Sequence, residues 1–467
     1  MVFGGDYSTK YSLRKSIVRA PVLVGPEVCV CVMPRLTRKA NAEKAPETGS
    51  GNNVKNKQQK TSHSASASHS QHDNKARDRV LVIGADLAVG ALTAARLGQV
   101  ADLTVTVQRH DYGVRIQNKG IWVHGGADGK TVTKLSPNDV RVVEGVDKVQ
   151  SEVFDIVIVA CKTEDLPALA PSLKALSEND CYTRKTTFLF AQDGVPFFFP
   201  LSDDISDAVK GHKLTCIDPN GVLADAVPVT SCLGCALFGC GEIYDELIDH
   251  LTGQSISYGR TKMPSYSDTP LIVTRPKHED ASERIHIGAA TTDTYLMSKA
   301  DSLVRMLCKA NLDVVLMPSP AELWTVVFNK LMGHLSYDFI AALTLCDMGM
   351  LSENAEAREL AGAVMAEARA VGEAAGVTMT SPEERLKLCD TKYDKFNPVR
   401  PSALQELLRK RPMEMDILAA YVELAKVLKV DAPRMATLLV LTRMRDHARA
   451  DSLIPKHDWG AIYRYSK

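Results

Sequence analysis

The chain has 467 residues, of which 45% are hydrophobic, and its formal net charge is zero. This size and composition are typical of a globular protein with two ordinary domains and additional segments. The charge is unevenly distributed, because 13 basic and 6 acidic residues in Met1–Asp78 give that segment +7 and the remainder −7. A negatively charged body argues against nucleic-acid binding, and the absence of an apolar run of membrane-spanning length argues against a membrane protein.

Met1 to about Asp78 shows little periodicity and ends in a long polar tract rich in serine, histidine, asparagine and lysine. Such a composition buries too little apolar surface to offset chain entropy, so we predict a disordered basic tail over residues 1–78. Near its start, SLRKSIVRA mixes basic and apolar residues and weakly resembles a mitochondrial presequence. A solvated basic tail on a cytoplasmic protein is the preferred interpretation, with a mitochondrial location as the alternative.

Eleven cysteines are scattered along the chain without a disulfide-type pattern, so we expect reduced thiols in an intracellular compartment. Cys232, Cys235 and Cys240 form a cluster of the kind that can bind zinc. They lie, however, in an apolar, glycine-rich run and have no fourth ligand at zinc-like spacing. We interpret them as buried cysteines of a strand and predict no metal site.

Order is predicted to begin at Arg79 with an apolar strand, VLVIG, followed by a small-residue turn, a helix and a second strand, LTVTVQRH. This unit places a pyrophosphate against a helix N-terminus, where free N–H groups and the helix dipole favour anions. Gly84 and Gly90 suit the turn, but Asp86 stands where a middle glycine is usual. We therefore expect Asp86 either to point away from the phosphates or to cap the helix.

Arg109 follows the second strand, and we find no acidic residue there to bind ribose hydroxyls. An arginine at this place suits a 2′-phosphate, so the predicted cofactor is NADP(H) and Arg109 is a predicted cofactor-binding residue. A solvated arginine at a strand end is the alternative interpretation.

Two further apolar strands, Asp155–Ala160 and Thr186–Phe190, are each followed by polar residues. Lys162 follows the first strand, and Asp193 follows the second. Open α/β sheets bind ligands beyond the carboxyl ends of their strands, so both residues are candidates for the site. Ser255–Glu283 is predicted to be rich in loops, and later elements include a strand at Arg284–Gly288, a helix at Lys299–Ala310 and a strand at Asp313–Met317.

From Pro320 onward the pattern predicts helices alone. Ala321–Thr344 reads as one long, largely apolar helix without a proline. Lys330, His334 and Asp338 lie at i, i+4 and i+8, which places three ionisable side chains on one face. Because burying such groups is costly unless they pair or bind a polar ligand, we expect this face to line a cleft. A solvated stripe or a Lys–Asp pair is the alternative.

The remaining helical signals lie near the end of the chain. A helix is predicted at about Asn354–Ala375, and Ser402 followed by Gln405 is a capping-box pattern that begins another. Pro412 then breaks that helix and is expected to place Glu414 in the first turn of the next, where the dipole favours a carboxylate.

Taken together, these motifs over about Arg79–His447 resemble the ketopantoate reductase (2-dehydropantoate 2-reductase) family. The family's Q-N-G turn resembles Gln192–Gly194, and its catalytic helix, an aromatic-x-Lys with asparagines four and eight residues later, resembles the helix carrying Lys330. The most specific likeness is the family's late S-x-L-Q-D and R-x-T-E-I-D segment, with the serine-to-glutamate spacing kept between Ser402 and Glu414. Arg109 and Lys162 also match basic positions of the family.

The resemblance implies an α/β fold in which an N-terminal Rossmann NADP-binding domain is followed by an all-α domain of the 6-phosphogluconate-dehydrogenase-like type. We place the first at residues 79–318, with insertions, and the second, the substrate and catalytic domain, at 319–467. The implied activity is NADPH-dependent reduction of a 2-oxo acid, possible substrates including ketopantoate of pantothenate and coenzyme A biosynthesis. The expected partner is thus a small-molecule 2-oxo acid, and a homodimer is compatible with the resemblance.

The resemblance also implies roles for the site residues. Lys330 is the candidate proton donor, Glu414 would hold the lysine charged or anchor a substrate hydroxyl, and Ser402 would bind the substrate carboxylate. Gly84, Asp86, Gly90, Arg109, Lys162 and Asp193 form the predicted cofactor set, and His334 and Asp338 join Ser402 in the substrate set.

The sequence departs from the family at three positions, where Asp193, His334 and Asp338 replace asparagines. An ionised aspartate cannot donate the hydrogen bonds that an amide gives, and two added negative charges repel an anionic substrate. Our hypothesis is that protonated His334 pairs with Asp338 or Asp193 and partly neutralises the site. A reductase of a different carbonyl compound and a non-catalytic NADP(H)-binding protein are the alternatives.

Overall fold

The computed structural model describes residues 77–124, 132–179, 185–238, 242–243, 248–249, 254–255, 269–274, 284–392, 399–408 and 410–449. Apart from its last two residues, the predicted tail lies outside the described residues, as does Cys240. Within the described ranges, no helix combines the length and apolarity needed to cross a bilayer.

The strands and helices follow in chain order. The strands are β1 (Arg79–Ile83), β2 (Asp102–Val107), β3 (Ile121–His124), β4 (Val132–Leu135), β5 (Arg141–Glu144), β6 (Ile156–Val159), β7 (Thr187–Phe190), β8 (Cys232–Leu237), β9 (Glu242–Ile243), β10 (Ile248–Asp249), β11 (Gln254–Ser255), β12 (Leu271–Thr274), β13 (Ile285–Ala289) and β14 (Val314–Leu316). The helices are α1 (Ala88–Leu97), α2 (His110–Lys119), α3 (Leu166–Glu178), α4 (Val222–Ala226), α5 (Thr294–Lys309), α6 (Pro320–Gly333), α7 (Phe339–Thr344), α8 (Met348–Glu353), α9 (Ala355–Ala374), α10 (Pro382–Lys392), α11 (Ser402–Leu408), α12 (Asp416–Leu428) and α13 (Pro433–His447).

An eight-stranded sheet in the order β14-β13-β8-β7-β6-β1-β2-β5 organises the first half of the chain. Its neighbouring strands run parallel except where β13 meets β8. β6 and β7 are buried throughout, as expected for parallel strands that helices cover on both faces. The predicted fold class is confirmed, and the parallel arrangement brings the carboxyl ends of β1, β2, β6 and β7 to one edge.

The segment predicted to be rich in loops, Ser255–Glu283, contains β12, which the sequence analysis missed. β12 pairs in parallel with β3 inside a second, four-stranded sheet of order β4-β3-β12-β9. The buried guanidinium of Arg115 donates to the carbonyl oxygens of Thr269 and Pro270 and fixes the approach to β12. The pairing joins strands that lie about 150 positions apart in the sequence. It depends on tertiary contacts, so local periodicity does not reveal it.

The predicted single helix Ala321–Thr344 is wrong in one respect, because a π-helical turn at His334–Asp338 separates α6 from α7. The Ser336 hydroxyl donates to the carbonyl oxygens of Met332 and Gly333, and Arg385 of α10 donates to the carbonyl oxygen of Lys330. These side chains bond carbonyl groups around the turn. A π-helical turn adds a residue to the helical repeat and is frequent at functional sites.

Candidate active site

The glycine turn between β1 and α1 is shaped by very close backbone contacts. Gly84 has a φ of +89°, and a Cβ atom on Gly90 would stand 2.1 Å from the Gly84 carbonyl oxygen. Only glycine therefore lets α1 approach the end of β1 this closely. α1 begins at Ala88 with no side chain capping its first turn, so its N–H groups are available to an anionic ligand.

Asp86 points away from this turn, which is one of the two arrangements expected for it. Its buried carboxylate accepts hydrogen bonds of 2.9 Å from the backbone N–H groups of Gln108 and Arg109, beyond the end of β2. The alternative, in which Asp86 caps α1, is wrong. Asp86 thus connects the glycine turn to the segment that carries Arg109.

Arg109 lies at the same edge with a side chain that is 44% exposed. Its guanidinium forms an ion pair with Asp111, at 2.7 Å between Nη2 and Oδ2, and stacks 3.6 Å above the centre of the Tyr112 ring. Glu144, at the end of β5, binds His110 at 2.6 Å. Three carboxylates, those of Asp86, Asp111 and Glu144, therefore lie near Arg109, and each already bonds a protein group. That none of them serves the ribose hydroxyls stays a prediction.

Lys162, beyond the end of β6, reaches the helical half of the protein. Its Nζ lies 3.6 Å from the Glu406 carboxylate and 3.4 Å from the Pro412 carbonyl oxygen. Glu406 also binds Arg411 at 2.6 Å. The sequence analysis did not single out Glu406 or Arg411, although Glu406 is the acidic residue of the matched S-x-L-Q-D pattern. This network connects the sheet edge to the loop before α12.

The centre of the site is an ion pair between Lys330 of α6 and Asp193, which follows β7. The Lys330 side chain is only 6% exposed and that of Asp193 is 30% exposed. Burial alone would raise the pKa of Asp193, but the charges of Lys330 and His334 and the hydrogen bond from Lys330 together hold that pKa below its usual range. Asp193 is therefore ionised, and it is the partner of Lys330 in place of the predicted Glu414.

Hydrogen bonds from Gln192 hold the turn that carries Asp193 against the end of β6. The Gln192 amide donates to the carbonyl oxygens of Val159 and Cys161 at the end of β6, and Gly194 adopts a φ of +131°. A cavity beside this turn is bordered by Trp324 and Val327 of α6. The turn and the helix thus border the same cavity.

His334 and Asp338 pair with each other along the π-helical turn. The His334 Nδ1 lies 3.0 Å from the Asp338 Oδ2, and the two side chains are 25% and 10% exposed. Of the two partners expected for His334, the structure shows Asp338 in direct contact, while the charge of His334 also acts on Asp193. The helix therefore brings Lys330 to Asp193 beyond the end of β7 and pairs His334 with Asp338 one turn further along. That this face lines a cleft stays a prediction.

Glu414 lies two residues before α12, so its predicted place in the first turn of that helix is wrong. A hydrogen bond to α13 anchors the loop that carries Glu414: the Asp446 carboxylate accepts from the Met413 N–H at 3.0 Å. Burial raises the pKa of Glu414 to about 7, Lys162 lowers it, and Asp193 and nearby acids raise it. The cation acting on Glu414 is therefore Lys162. Ser402 is the exposed first residue of α11, four residues before Glu406 on the same helix.

The raised pKa of Glu414 makes stability depend on pH. The folded state binds this proton more tightly than the unfolded state, so the contribution of Glu414 to stability falls as pH rises from about 4.5 to about 7. We expect Glu414→Gln to unfold at a higher urea concentration than the wild type at pH 8, by on the order of 2 kcal/mol. The two proteins should be equally stable near pH 4. Equal stability at both pH values would contradict the burial of an ionisable Glu414.

These features together define a class of protein: a two-domain, nicotinamide-dependent oxidoreductase whose sheet edge faces a lysine of a helical half. The model of the family "Ketopantoate reductase PanE/ApbA" matches residues 80–196, and the model of its C-terminal domain matches residues 322–446. The chain belongs to the ketopantoate reductase family.

Individual relatives agree with this assignment. The chain is 26% identical over 371 residues to a 2-dehydropantoate 2-reductase of Mesorhizobium japonicum, with 78% of this chain and 97% of that protein covered. A candidate ketopantoate reductase structure from Ralstonia solanacearum MolK2 superposes with a TM-score of 0.62 at 21% identity, covering 80% of this chain and 99% of that one. D-mandelate dehydrogenase bound to NADH and anilino(oxo)acetate superposes with a TM-score of 0.58 at 13% identity, covering 79% and 99%. The latter two likenesses support the fold.

Proposed function

We propose that this protein is an NADPH-dependent reductase of a 2-oxo acid, with ketopantoate, the precursor of pantoate in pantothenate and coenzyme A biosynthesis, as the leading substrate. The observation that carries the proposal is the buried Lys330 amine held by Asp193 at the carboxyl end of β7. That end shares a sheet edge with the glycine turn at Gly84, where the cofactor's pyrophosphate would bind.

The residues present suit a dinucleotide. The uncapped N-terminus of α1 would receive the pyrophosphate, and Gly84 and Gly90 leave the room that its approach requires. When bound, the cofactor supplies hydride to the carbonyl carbon of the substrate. Lys330 has N–H groups beyond the one given to Asp193, and we place them on the carbonyl oxygen, where negative charge develops. Glu414 would anchor a substrate hydroxyl, and Ser402 the carboxylate.

The preference for NADPH rests on Arg109, which the Asp86 carboxylate positions through the backbone. We expect Arg109→Leu to weaken NADPH binding by about tenfold or more, because a phosphate–arginine contact in a partly exposed site contributes about 1.4 kcal/mol or more. NADH binding should change less than threefold. Fluorescence titration of both cofactors measures this, with Lys119→Leu at the exposed end of α2 as control. Equal loss for the two cofactors would refute the assignment of Arg109 to the 2′-phosphate.

A second candidate function is favoured by the ionisable residues that replace three family amides. The carboxylates of Asp193 and Asp338 accept hydrogen bonds but do not donate them. Asp193 is already paired with Lys330, and Asp338 with His334. This arrangement is compatible with a different carbonyl substrate or with a protein that binds NADP(H) without turning it over.

Consumption of NADPH against a panel of 2-oxo acids, including ketopantoate, tests both candidates. Turnover by the wild type and its loss in Lys330→Met would support the reductase. Tight NADPH binding without turnover of any 2-oxo acid would favour the binding protein, and turnover of neutral ketones alone would favour a different substrate class. The predicted cytoplasmic location and homodimer stay predictions.

A further inference from the structure

The Lys330–Asp193 ion pair creates a difficulty for Lys330 as the proton donor. The Asp193 carboxylate is ionised and is bonded directly to the Lys330 amine. If Lys330 gave up a proton, Asp193 would lose the cation that compensates its charge in a largely buried site. Uncompensated buried charge is costly, so this pair is better suited to hold a fixed positive charge than to transfer a proton.

A second acid–base pair stands one helical turn away. The His334 Nδ1 lies 3.0 Å from Asp338, and the Asp338 side chain is 10% exposed. A carboxylate on Nδ1 fixes the ring orientation and keeps the proton on that nitrogen, which leaves Nε2 as the ring nitrogen that faces other groups. Among the described residues, no hydrogen bond to Nε2 is present. The His334 side chain is 25% exposed, so it can exchange protons with water.

We propose that His334, oriented by Asp338, donates the proton in the reduction, while Lys330, held by Asp193, supplies a fixed positive charge at the carbonyl oxygen. This inference rests on the proposed function and assigns the proton step within the same site. The assignment depends on one departure of this chain from the family pattern. The asparagine that His334 replaces could not donate a proton in this way.

In the proposed reduction each bond that forms is matched by one that breaks. Hydride adds to the carbonyl carbon, and the π electron pair of the C=O bond moves to the oxygen. The Nε2–H bond of the imidazolium breaks as the new O–H bond forms, and the neutral imidazole then regains a proton from solvent. Asp338 keeps its charge throughout and stabilises the imidazolium.

Other charged groups near His334 must be consistent with this role. Lys330 and Asp338 lie on the same helical stretch, Asp193 approaches from the end of β7, and Arg385 of α10 packs against Gly333. The Asp338 carboxylate contacts the ring directly, and the charge of Lys330 is already paired with that of Asp193.

The variants His334→Asn and Asp338→Asn test this inference, with His212→Asn as the matched control, because His212 also pairs with a carboxylate, Glu423, outside the site. We expect His334→Asn to lower kcat by about 100-fold or more while KM changes less than threefold. Asp338→Asn should lower kcat by about tenfold or more. The control should match the wild type.

A readout without turnover comes from long-range ¹H–¹⁵N spectra of the imidazoles in the cofactor-free protein. The signals that are absent from the spectrum of His334→Asn belong to His334. In the wild type they should show the proton of the neutral ring on Nδ1, and in Asp338→Asn this preference should be lost. If the wild type turns over substrate and His334→Asn retains its kcat within threefold, the inference is overturned and the proposed function stands. A proton on Nε2 of the neutral His334 ring would have the same consequence. Absence of wild-type turnover on the whole panel would overturn both.

Discussion

Replacing Lys330 with methionine is expected to lower kcat by about 100-fold or more and to destabilise the fold by about 3 kcal/mol. The catalytic loss follows because the positive charge that we propose at the developing alkoxide is removed. The loss of stability follows because Asp193, whose side chain is 30% exposed, loses the cation that compensates its charge. Urea unfolding and steady-state kinetics with the best 2-oxo acid measure the two effects separately.

Asp193→Asn and the double variant complete this experiment. The single Asp193→Asn change restores the amide found in the family and is expected to reduce activity by less than about tenfold, because an Asn oxygen still accepts from Lys330. In the double variant, stability should recover by about 1–3 kcal/mol relative to the sum of the single changes, since neither buried charge remains. Activity should stay as low as in Lys330→Met. Additive stability changes would show that the two side chains are not coupled.

Replacing Gly90 with alanine is expected to destabilise the protein by about 3 kcal/mol and to raise the Kd for the dinucleotide at least about tenfold. The added Cβ would stand 2.1 Å from the Gly84 carbonyl oxygen and 2.7 Å from its carbon, and both atoms belong to rigid backbone. α1 must then move away from β1, and its N-terminus, which is predicted to receive the pyrophosphate, moves with it. Thermal unfolding and cofactor titration test the two parts.

Gly362→Ala is the matched control for this change, because Gly362 also lies inside a helix, α9. A Cβ atom there would meet only a methyl carbon of Leu386, at 3.1 Å, which is the end of a flexible side chain. Alanine also has the higher helix propensity, so stability should stay within about 1 kcal/mol and cofactor affinity should not change. Equal effects of the two substitutions would contradict the close contact between α1 and β1.

Direct contacts join the two halves of the protein at their shared edge. Lys330 reaches Asp193 from the helical half, and Lys162 reaches Glu406 and the Pro412 carbonyl from the sheet. Each half therefore places a lysine against a carboxylate of the other. The charges of these side chains are paired within the protein, which limits the cost of holding them away from water.

The nucleotide half could be predicted from local sequence because its signals are short-range. The apolar run of β1, the small residues of the turn and the arginine beyond β2 lie within about thirty residues, where strand and helix periodicity apply. The spacing of Lys330, His334 and Asp338 likewise showed a polar face on an apolar helix. The family resemblance added the ketopantoate reductase assignment, which the match to both halves of the chain confirms.

Only the tertiary structure decided which charged groups meet. Lys330 binds Asp193, 137 positions earlier, while Lys162 is the cation that acts on Glu414, about 250 positions later. Asp86 and Asp111 share the edge with Arg109 because β1 and β2 are neighbours and their ends align. The π-helical turn at His334–Asp338 depends on side chains that bond the nearby carbonyls, including Arg385 of a separate helix. Periodicity describes which face of an element is buried, whereas ion pairs depend on the distance between elements, which the packing of the whole chain determines.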